Sequence, residues 1–546
     1  MKPGKELLFC ALGGSGEIGM NVNLYGADGK WLMVDLGMTF SGNEYPGVDL
    51  VFADLEFIED NRDDLLGVVL THAHEDHIGA VPYFAQELGV PLYATPFTAR
   101  LVRAKLEEAG IAREIDLRVI DHLDPFELGP FTVSYLPLAH SIAEGNALLI
   151  DTPYGRIFHT GDWKLDDEPQ IGVPTTAEEL TEIGDEGVLA LVCDSTNVFN
   201  PEPSGSEGEV LRGLMAEVKK HQGKRVLVTT FASNVARIQT LGAVAAATGR
   251  KLCVAGRSLD RMIETGQASG YLHDLPKIVG MDSAMDLPRG EVLIVATGGQ
   301  GEPRAALSRI AEGTHPIKLE RGDVVLFSSR QIPGNEIAIG RIQNRLAGDG
   351  ITLVTDRQSP IHVSGHPGRP ELEALYGWLR PEILLPVHGE MRHMTEQARL
   401  GLASGIPKAV VQKNGDLVRL APGKPGKFGE VRAGRLILDG DIIAPANGEA
   451  MIMRRRLANN GLVIVALGES GQVKISGIGL PLDEDYDEFV GEAERDVEEA
   501  VARLKGKARR DEASVTEAAR LAARRAAQRW SGKKPQVQVM LLGEVG

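Results

Sequence analysis

Between residues 5 and 203 the chain alternates short apolar runs with glycine-rich or polar turns: ELLFCALGG, KWLMVDLG, LLGVVLTHAH, FTVSYLPLAH, NALLIDT, GRIFHTGD and VLALVCDST. Their length and β-branched content predict strands. Residues 99–110 (ARLVRAKLEEAG) instead show helical spacing closed by glycine, so this region reads as mixed α and β. Several acids and histidines fall just after a strand, where sites collect in layered α/β folds.

A turn-rich break at 199–209 (FNPEPSGSEGE) changes the pattern. Strand-like and helix-like segments then alternate: KRVLVTT with NVARIQTLGAVAAATG, KLCVAG with RSLDRMIETGQ, EVLIVATGG with PRAALSRIAEG. This repetition predicts a parallel sheet with helical cover. Residues 380–388 (RPEILLPVH) return to a strand that ends in histidine. If that histidine serves the first region's site, the βα block is an insertion within it. From about residue 424 the chain reads as glycine-rich and strand-poor. From 462 onward, alternating runs flank an Ala-rich charged helix that carries Arg520, Arg524, Arg525 and Arg529. That partly basic face is either a solvated helix surface or a surface for RNA or a partner. The expected parsing is a first domain in two parts, 1–205 and 356–445, an insertion at 206–355, a linker at 446–461 and a C-terminal domain at 462–546.

With 546 residues, 43% hydrophobic and 25% charged, the composition excludes disordered and fibrous classes and accommodates several domains. The net charge of −18 disfavours nonspecific contact with polyanions, but a basic groove or a bound dication reverses the field locally. Cys10, Cys193 and Cys253 are widely spaced in apolar runs and form no CxxC pair, which fits a reducing compartment. No leader-like segment opens the chain and no apolar run approaches the ~18 residues of a membrane span, so the expected location is the cytoplasm, with no membrane partner.

The densest chemistry is THAHEDHIGA, which crowds His72, His74, Asp76 and His77 into six residues after an apolar strand. Buried as structure alone, such a turn leaves polar groups without partners. Divalent cations resolve that cost, because neutral imidazole and carboxylate are both good ligands. The i, i+2 spacing lets His72 and His74 face one ion while Asp76 and His77 turn to a second. His140 (SYLPLAHS), Asp162 (IFHTGDWK) and His388 (LLPVHGE) stand at later strand ends as further candidates, and Asp162 can bridge with its two oxygens.

The HAHEDH run with the later His, Gly-Asp and His positions resembles the metallo-β-lactamase superfamily. The insertion before the last histidine resembles the β-CASP domain of nucleases. More narrowly, LGGSGEIGMN, VDLGMTF, THAHEDHIGA, HTGDWK, CDSTN, TGGQGEP, QIPGNE, HVSGHPGRPEL and PVHGE resemble the bacterial ribonuclease J family, in its order, from Leu12 to Glu390. The resemblance implies a metallo-β-lactamase αβ/βα sandwich with an inserted β-CASP α/β domain and a small C-terminal α+β domain. It also implies two divalent ions, zinc or alternatively manganese: His72, His74 and His140 at one, Asp76, His77 and His388 at the other, and Asp162 shared. Asp35 matches an acidic motif that orients the metal loop, although a strand-end turn acid reads the same way.

The implied chemistry is in-line attack by metal-activated hydroxide on a phosphodiester. Asp76 helps to position the hydroxide, and His366, fixed by Asp194, serves the leaving oxygen; a plain loop histidine is the alternative for His366. The resemblance also implies that the turn of His362, Ser364, Gly365 and His366 receives an RNA 5′ phosphate together with Ser233, which reads as a helix N-cap and is equally explained as an ordinary cap. TGGQGEP at 297–303 is either a turn or a loop touching RNA. The implied function is a 5′-to-3′ exoribonuclease on 5′-monophosphorylated single-stranded RNA, with possible endonuclease activity, in RNA maturation and decay. A homodimer or tetramer and an RNA-decay complex are the implied assemblies. Two other readings stay open: a β-CASP nuclease for DNA or RNA 3′ ends, and a non-catalytic RNA-binding scaffold.

Overall fold

The alternating runs of the first 200 residues fold as strands of two stacked sheets. The structure, a computed structural model, describes residues 4–42, 44–122, 124–331, 334–468 and 471–542. It divides into two units, Met1–Thr39 with Phe52–Gly434, and Phe40–Val51 with Arg435–Gly546.

In the first unit, one eight-stranded sheet contains Leu7–Gly13, Val22–Ala27, Lys30–Val34 and Leu65–Val69 as consecutive neighbours. A seven-stranded sheet runs Phe131–Pro137, Asn146–Asp151, Ile157–His159, Ala190–Asp194, Ile383–Val387 across its centre. Alternate residues fill the space between them: Phe9, Tyr25, Val34 and Val69 meet Tyr135, Ile150, Val192 and Leu385. The other face of the second sheet, through Phe158, Leu191 and Leu384, is covered by Leu180, Leu375 and Leu400 of three helices. Burial on both faces explains why these strands read as continuous apolar runs.

The insertion is visible in one register. Ala190–Asp194 and Ile383–Val387 pair in parallel, with Asp194 beside Val387, while the chain between them builds another sheet. That sheet has six parallel strands, ordered Ile278–Val279, Lys251–Ala255, Val292–Ala296, Val226–Thr229, Val324–Phe327, Thr352–Thr355. Each βα repeat of the sequence supplies a strand and a covering helix. Cys10, Cys193 and Cys253 are buried and unpaired. Ile332 and Pro333 of the QIPGNE motif lie outside the described residues.

Three expectations are corrected. The helix expected over 99–110 spans Pro96–Glu108, because proline seeds its first turn. The segment after 424 is not strand-poor. It forms Gly426–Glu430, Arg435–Asp439 and Ile442–Pro445, the last two closed by the tight Gly440-Asp441 turn. The supposed linker at 446–461 is helix Glu449–Asn460, a run of good helix formers ended by Gly461. The second unit accordingly takes in Arg435 onward, earlier than residue 462.

In that second unit, Leu462–Gly468 pairs antiparallel with Val473–Ile478 and parallel with Gln536–Leu542. Val463, Val465 and Leu467 point onto Phe489, Ala493 and Ala523 of helices Tyr486–Ala502 and Glu512–Ser531. Of the four arginines on the last helix, Arg529 is paired with Glu492 at 2.6 Å and Arg520 with Glu517 at 2.7 Å. Two of the four charges of the expected basic face are thus neutralised by their own neighbours. Among the described residues no helix is long and apolar enough to cross a membrane.

Candidate metal centre

The site lies where the strands of both sheets in the first unit end. After Leu65–Val69 the chain passes Thr71 and His72 and enters the short helix Glu75–Ile78, with His74 at its N-cap. Backbone hydrogen bonds pin this turn: Leu36 N–H donates to the His77 carbonyl at 2.8 Å and Asn21 N–H to the Asp76 carbonyl at 2.9 Å. A Cβ at Gly37 would lie 1.7 Å from the Asp76 carbonyl oxygen, so only glycine lets the two segments meet. Gly37→Ala is expected to destabilise the fold by about 1–3 kcal/mol and to reduce metal uptake, read by thermal denaturation and metal analysis. Unchanged melting and metal content would show that the turn tolerates displacement.

Asp35 and His388 both take the left-handed conformation, at φ of 65° and 52°. Such strain persists where surroundings over-determine it, and both residues face the histidine cluster. Asp35 is fully buried. It accepts from Thr71 N–H at 2.8 Å, the Thr71 hydroxyl, and His77 Nδ1 at 2.7 Å. It therefore orients the turn rather than merely ending a strand.

Seven side chains expected from the sequence converge in two overlapping sets. His72, His74, His140 and Asp162 offer four ligand atoms within 4.8 Å of one another, and Asp76, His77, Asp162 and His388 do the same. In the first set, His72 Nε2 and His140 Nε2 each lie 3.1 Å from His74 Nδ1, and both lie 3.8 Å from Asp162 Oδ2. In the second, Asp162 Oδ2 is 3.3 Å from His77 Nε2, and Asp76 Oδ2 is 3.0 Å from His388 Nε2. A tetrahedral ion with ligands at ~2.0–2.1 Å spaces them about 3.3 Å apart, within the range seen.

The outer contacts fix the tautomers. His140 Nδ1 donates to the Gly365 carbonyl at 2.6 Å, which leaves its Nε2 lone pair facing the cluster. Thr71 has one hydroxyl proton, committed to Asp35, so it accepts from His72 Nδ1 at 3.0 Å and His72 Nε2 is likewise bare. Bare nitrogens that converge on a buried point need a cation. Asp162 gives the same indication: it is 2% exposed and its Oδ1 has no hydrogen-bond partner.

Electrostatics separates the two sets. Burial, then the neighbouring histidines, hold His72 well below the usual range, His74 at about 4 and His140 at about 3, so all three are neutral and ready to ligate. Around His77 and His388, burial acts in the same sense but is outweighed by Asp162 and its fellow carboxylates, which raise both well above the usual value. The second set therefore draws positive charge. The donor chemistry fits a divalent-metal site.

Beside these sets, Asp194 Oδ2 meets His366 Nδ1 at 2.7 Å. His366 keeps 24% of its side chain exposed, whereas Asp194 is buried. The 362–366 turn is held by Asn197 Nδ2, which donates to Ser364 Oγ at 2.6 Å and to the His366 carbonyl at 3.1 Å. His362 Nδ1 is buried without a partner. Ser233 is not the helix cap: Asn234 is, its Oδ1 accepting from Arg237 N–H at 2.8 Å, because the helix begins one residue later than expected. Among the described residues no hydrogen bond joins Ser233 to His362, Ser364 or His366.

Asn21, Gly37, Thr71 and Asn197 stand inside the motifs LGGSGEIGMN, VDLGMTF, THAHEDHIGA and CDSTN, but the sequence assigned them no role of their own; Arg237 lies outside those motifs.

Comparison with known proteins gives a consistent picture. Residues 16–178 match the metallo-β-lactamase superfamily, 223–346 the ribonuclease J β-CASP domain, 353–411 a Zn-dependent metallo-hydrolase RNA specificity domain, and 450–543 the ribonuclease J C-terminal domain. Ribonuclease J of Sinorhizobium meliloti is 41% identical, over 99% of this chain and 98% of its own length. Ribonuclease J of Mycobacterium tuberculosis is 35% identical, over 98% and 96%, and that of Thermus thermophilus 36%, over 86% and 84%. A crystal structure of a protein of unknown function from Enterococcus faecalis V583 shares the fold, with a TM-score of 0.53 at 18% identity, over 76% of this chain and 100% of that one. The two sheets, the inserted parallel sheet and the small third domain, matched over nearly the whole length, make this chain a member of the ribonuclease J family, with metallo-β-lactamase, β-CASP and ribonuclease J C-terminal domains.

Proposed function

We propose that the protein is a metal-dependent ribonuclease that degrades single-stranded RNA from a 5′-monophosphate end. The observation that carries the reading is the overlap of two four-ligand sets at Asp162, with the Asp194–His366 pair and the 362–366 turn beside them. His72, His74, His140 and Asp162 would hold one ion and Asp76, His77, His388 and Asp162 the other; zinc would suit both, and manganese would be accepted by the same donors. When bound, the ions supply an activated hydroxide at neutral pH and offset charge on the phosphoryl oxygens.

The chain's own groups do the rest. Asp35 fixes the His77 ring, and the Gly365 carbonyl fixes that of His140. His366, its Nδ1 engaged by Asp194, presents Nε2 to donate a proton to the departing ribose oxygen. His362, Ser364 and the backbone of Gly365 and His366 receive the terminal phosphate, with Ser233 on the facing insertion. A cytoplasmic setting and a homo-oligomer accord with this role. Within the first unit we assign residues up to 205 and 356–434 to the catalytic domain and 206–355 to the insertion.

A 3′-labelled single-stranded RNA bearing a 5′-monophosphate or a 5′-triphosphate tests the reading. Progressive shortening from the 5′ end, faster with the monophosphate and lost in an Asp76→Ala, His77→Ala double variant, is expected. Internal fragments indifferent to the 5′ group would make the enzyme an endonuclease, and no cleavage with zinc or manganese would leave only a binding role.

A further inference from the structure

A fully buried arginine of the first unit, Arg237, lies outside the reaction described above. Arg237 is fully buried in the first turn of helix Val235–Ala247, and every one of its terminal nitrogens is engaged. Nη2 donates to both oxygens of Glu207 at 3.0 Å, while Nη1 donates to the carbonyls of Ser328 at 3.1 Å and Ile361 at 3.2 Å, and to the Ser328 hydroxyl. A buried ion pair is a weak device for stability, since desolvation offsets most of its attraction. What it does well is fix geometry, because the planar guanidinium fork dictates where each acceptor sits.

The acceptors belong to different parts of the unit. Ile361 immediately precedes His362 and the turn that ends in His366. Glu207 opens helix Glu207–Lys220, and its own N–H donates to Asp166 Oδ2 at 3.0 Å. Asp166 is paired with Lys164 at 2.8 Å, both essentially buried, and Lys164 N–H donates to the carbonyl of Ala139, the neighbour of His140, at 2.8 Å. The turn is therefore held from two sides: His140 grips Gly365 directly, and Arg237 grips Ile361 directly while itself anchored, through Glu207, Asp166 and Lys164, two residues from Asp162. Between those grips sits His362, with a buried, unpartnered Nδ1.

We infer that Arg237, locked by Glu207, is a positioning residue that sets the 361–366 turn to receive the RNA 5′ phosphate; this rests on the 5′-end reading proposed above. Its side chain has no nitrogen left for the substrate, so it acts through His362 and Ser364. Lysine keeps the charge but not the fork: one ammonium cannot span Glu207, Ser328 and Ile361 together.

The test is equilibrium binding, with divalent ions chelated so that no cleavage occurs, of one single-stranded RNA carrying a 5′-monophosphate or a 5′-hydroxyl. For the wild-type protein the monophosphate is expected to bind more tightly. Arg237→Lys should erase that preference, weakening the monophosphate about tenfold and the hydroxyl form by less than about threefold. Ser328→Ala removes one of the contacts while leaving both charges, and should shift the preference the same way by a smaller factor; it carries the test if the lysine variant does not fold. An undiminished preference in both variants, or equal weakening of both RNAs, overturns the inference. A wild-type protein with no preference overturns the 5′-end reading itself, and this inference with it.

Discussion

Asp162→Asn is expected to slow RNA hydrolysis by on the order of 10³-fold, through lost ion binding and not through unfolding. Asp162 is the one residue common to both ligand sets, and its carboxylate meets histidine rings on three sides at 3.3–3.8 Å. An amide has one acceptor oxygen and turns two N–H donors toward the other set, so at most one set survives. The effect on stability separates this from a structural explanation. Without ions, Asp162 offsets the positive charge on His77 and His388, which in turn, against the opposing effect of burial, hold its carboxyl well below the usual range. The chelated variant should therefore melt somewhat lower than chelated wild type while still unfolding cooperatively above the assay temperature. What shrinks is the added stability that ions give the native state. Metal content below two ions per chain, in a variant that is folded at the assay temperature under chelation, is the expected pair of results. Full metal content with lost activity would move Asp162 from ion binding to another role.

Much of this centre was legible before the fold because THAHEDHIGA concentrates four ligands in one turn. His140, Asp162 and His388 were legible only as strand-end residues, and it is the parallel pairing of Ala190–Asp194 with Ile383–Val387 that carries the last histidine back across the insertion. Asp35 was ambiguous in sequence, since a strand-end acid looks the same whether it caps a turn or holds a ring; its 2.7 Å contact to His77 settles the placement. Ser233 was misread because serine and asparagine cap equally well, and one residue of frame decides which accepts the N–H. The helix at Glu449–Asn460 was missed because a polar run with few apolar anchors gives little amphipathic signal. Arg237 escaped notice for the opposite reason: an arginine in a helix reads as solvated unless its partner, thirty residues earlier in the chain, is known.

Asp194→Asn is expected to slow cleavage of RNA by about 10²–10⁴-fold while metal content falls far less than in Asp162→Asn, since Asp194 meets the His366 ring at 2.7 Å and, of the seven ligand side chains, only His388, at 3.6 Å. Its Oδ1 accepts from Thr196 N–H at 2.8 Å, which fixes the side chain so that Oδ2 faces His366 Nδ1 at 2.7 Å. In the variant the remaining oxygen stays on Thr196 and the amide nitrogen turns to His366. The ring then loses the anion that contributes most to its charged form, and the more distant Asp162 remains. In the wild-type chain, burial alone would lower His366, but Asp194 outweighs it and raises the ring above its usual value. A group raised in this way is protonated below its pKa and loses its proton as pH rises through it, so the acid-dependent limb of activity extends to higher pH. Without the carboxylate, burial prevails and the limb should retreat to lower pH. A substrate whose leaving group needs no proton separates the two parts of the reaction. Bis(p-nitrophenyl) phosphate, which departs as nitrophenolate, should be hydrolysed by Asp194→Asn within a few-fold of wild type. If that ester suffers as much as RNA, Asp194 acts on the nucleophile side and His366 is not the proton donor.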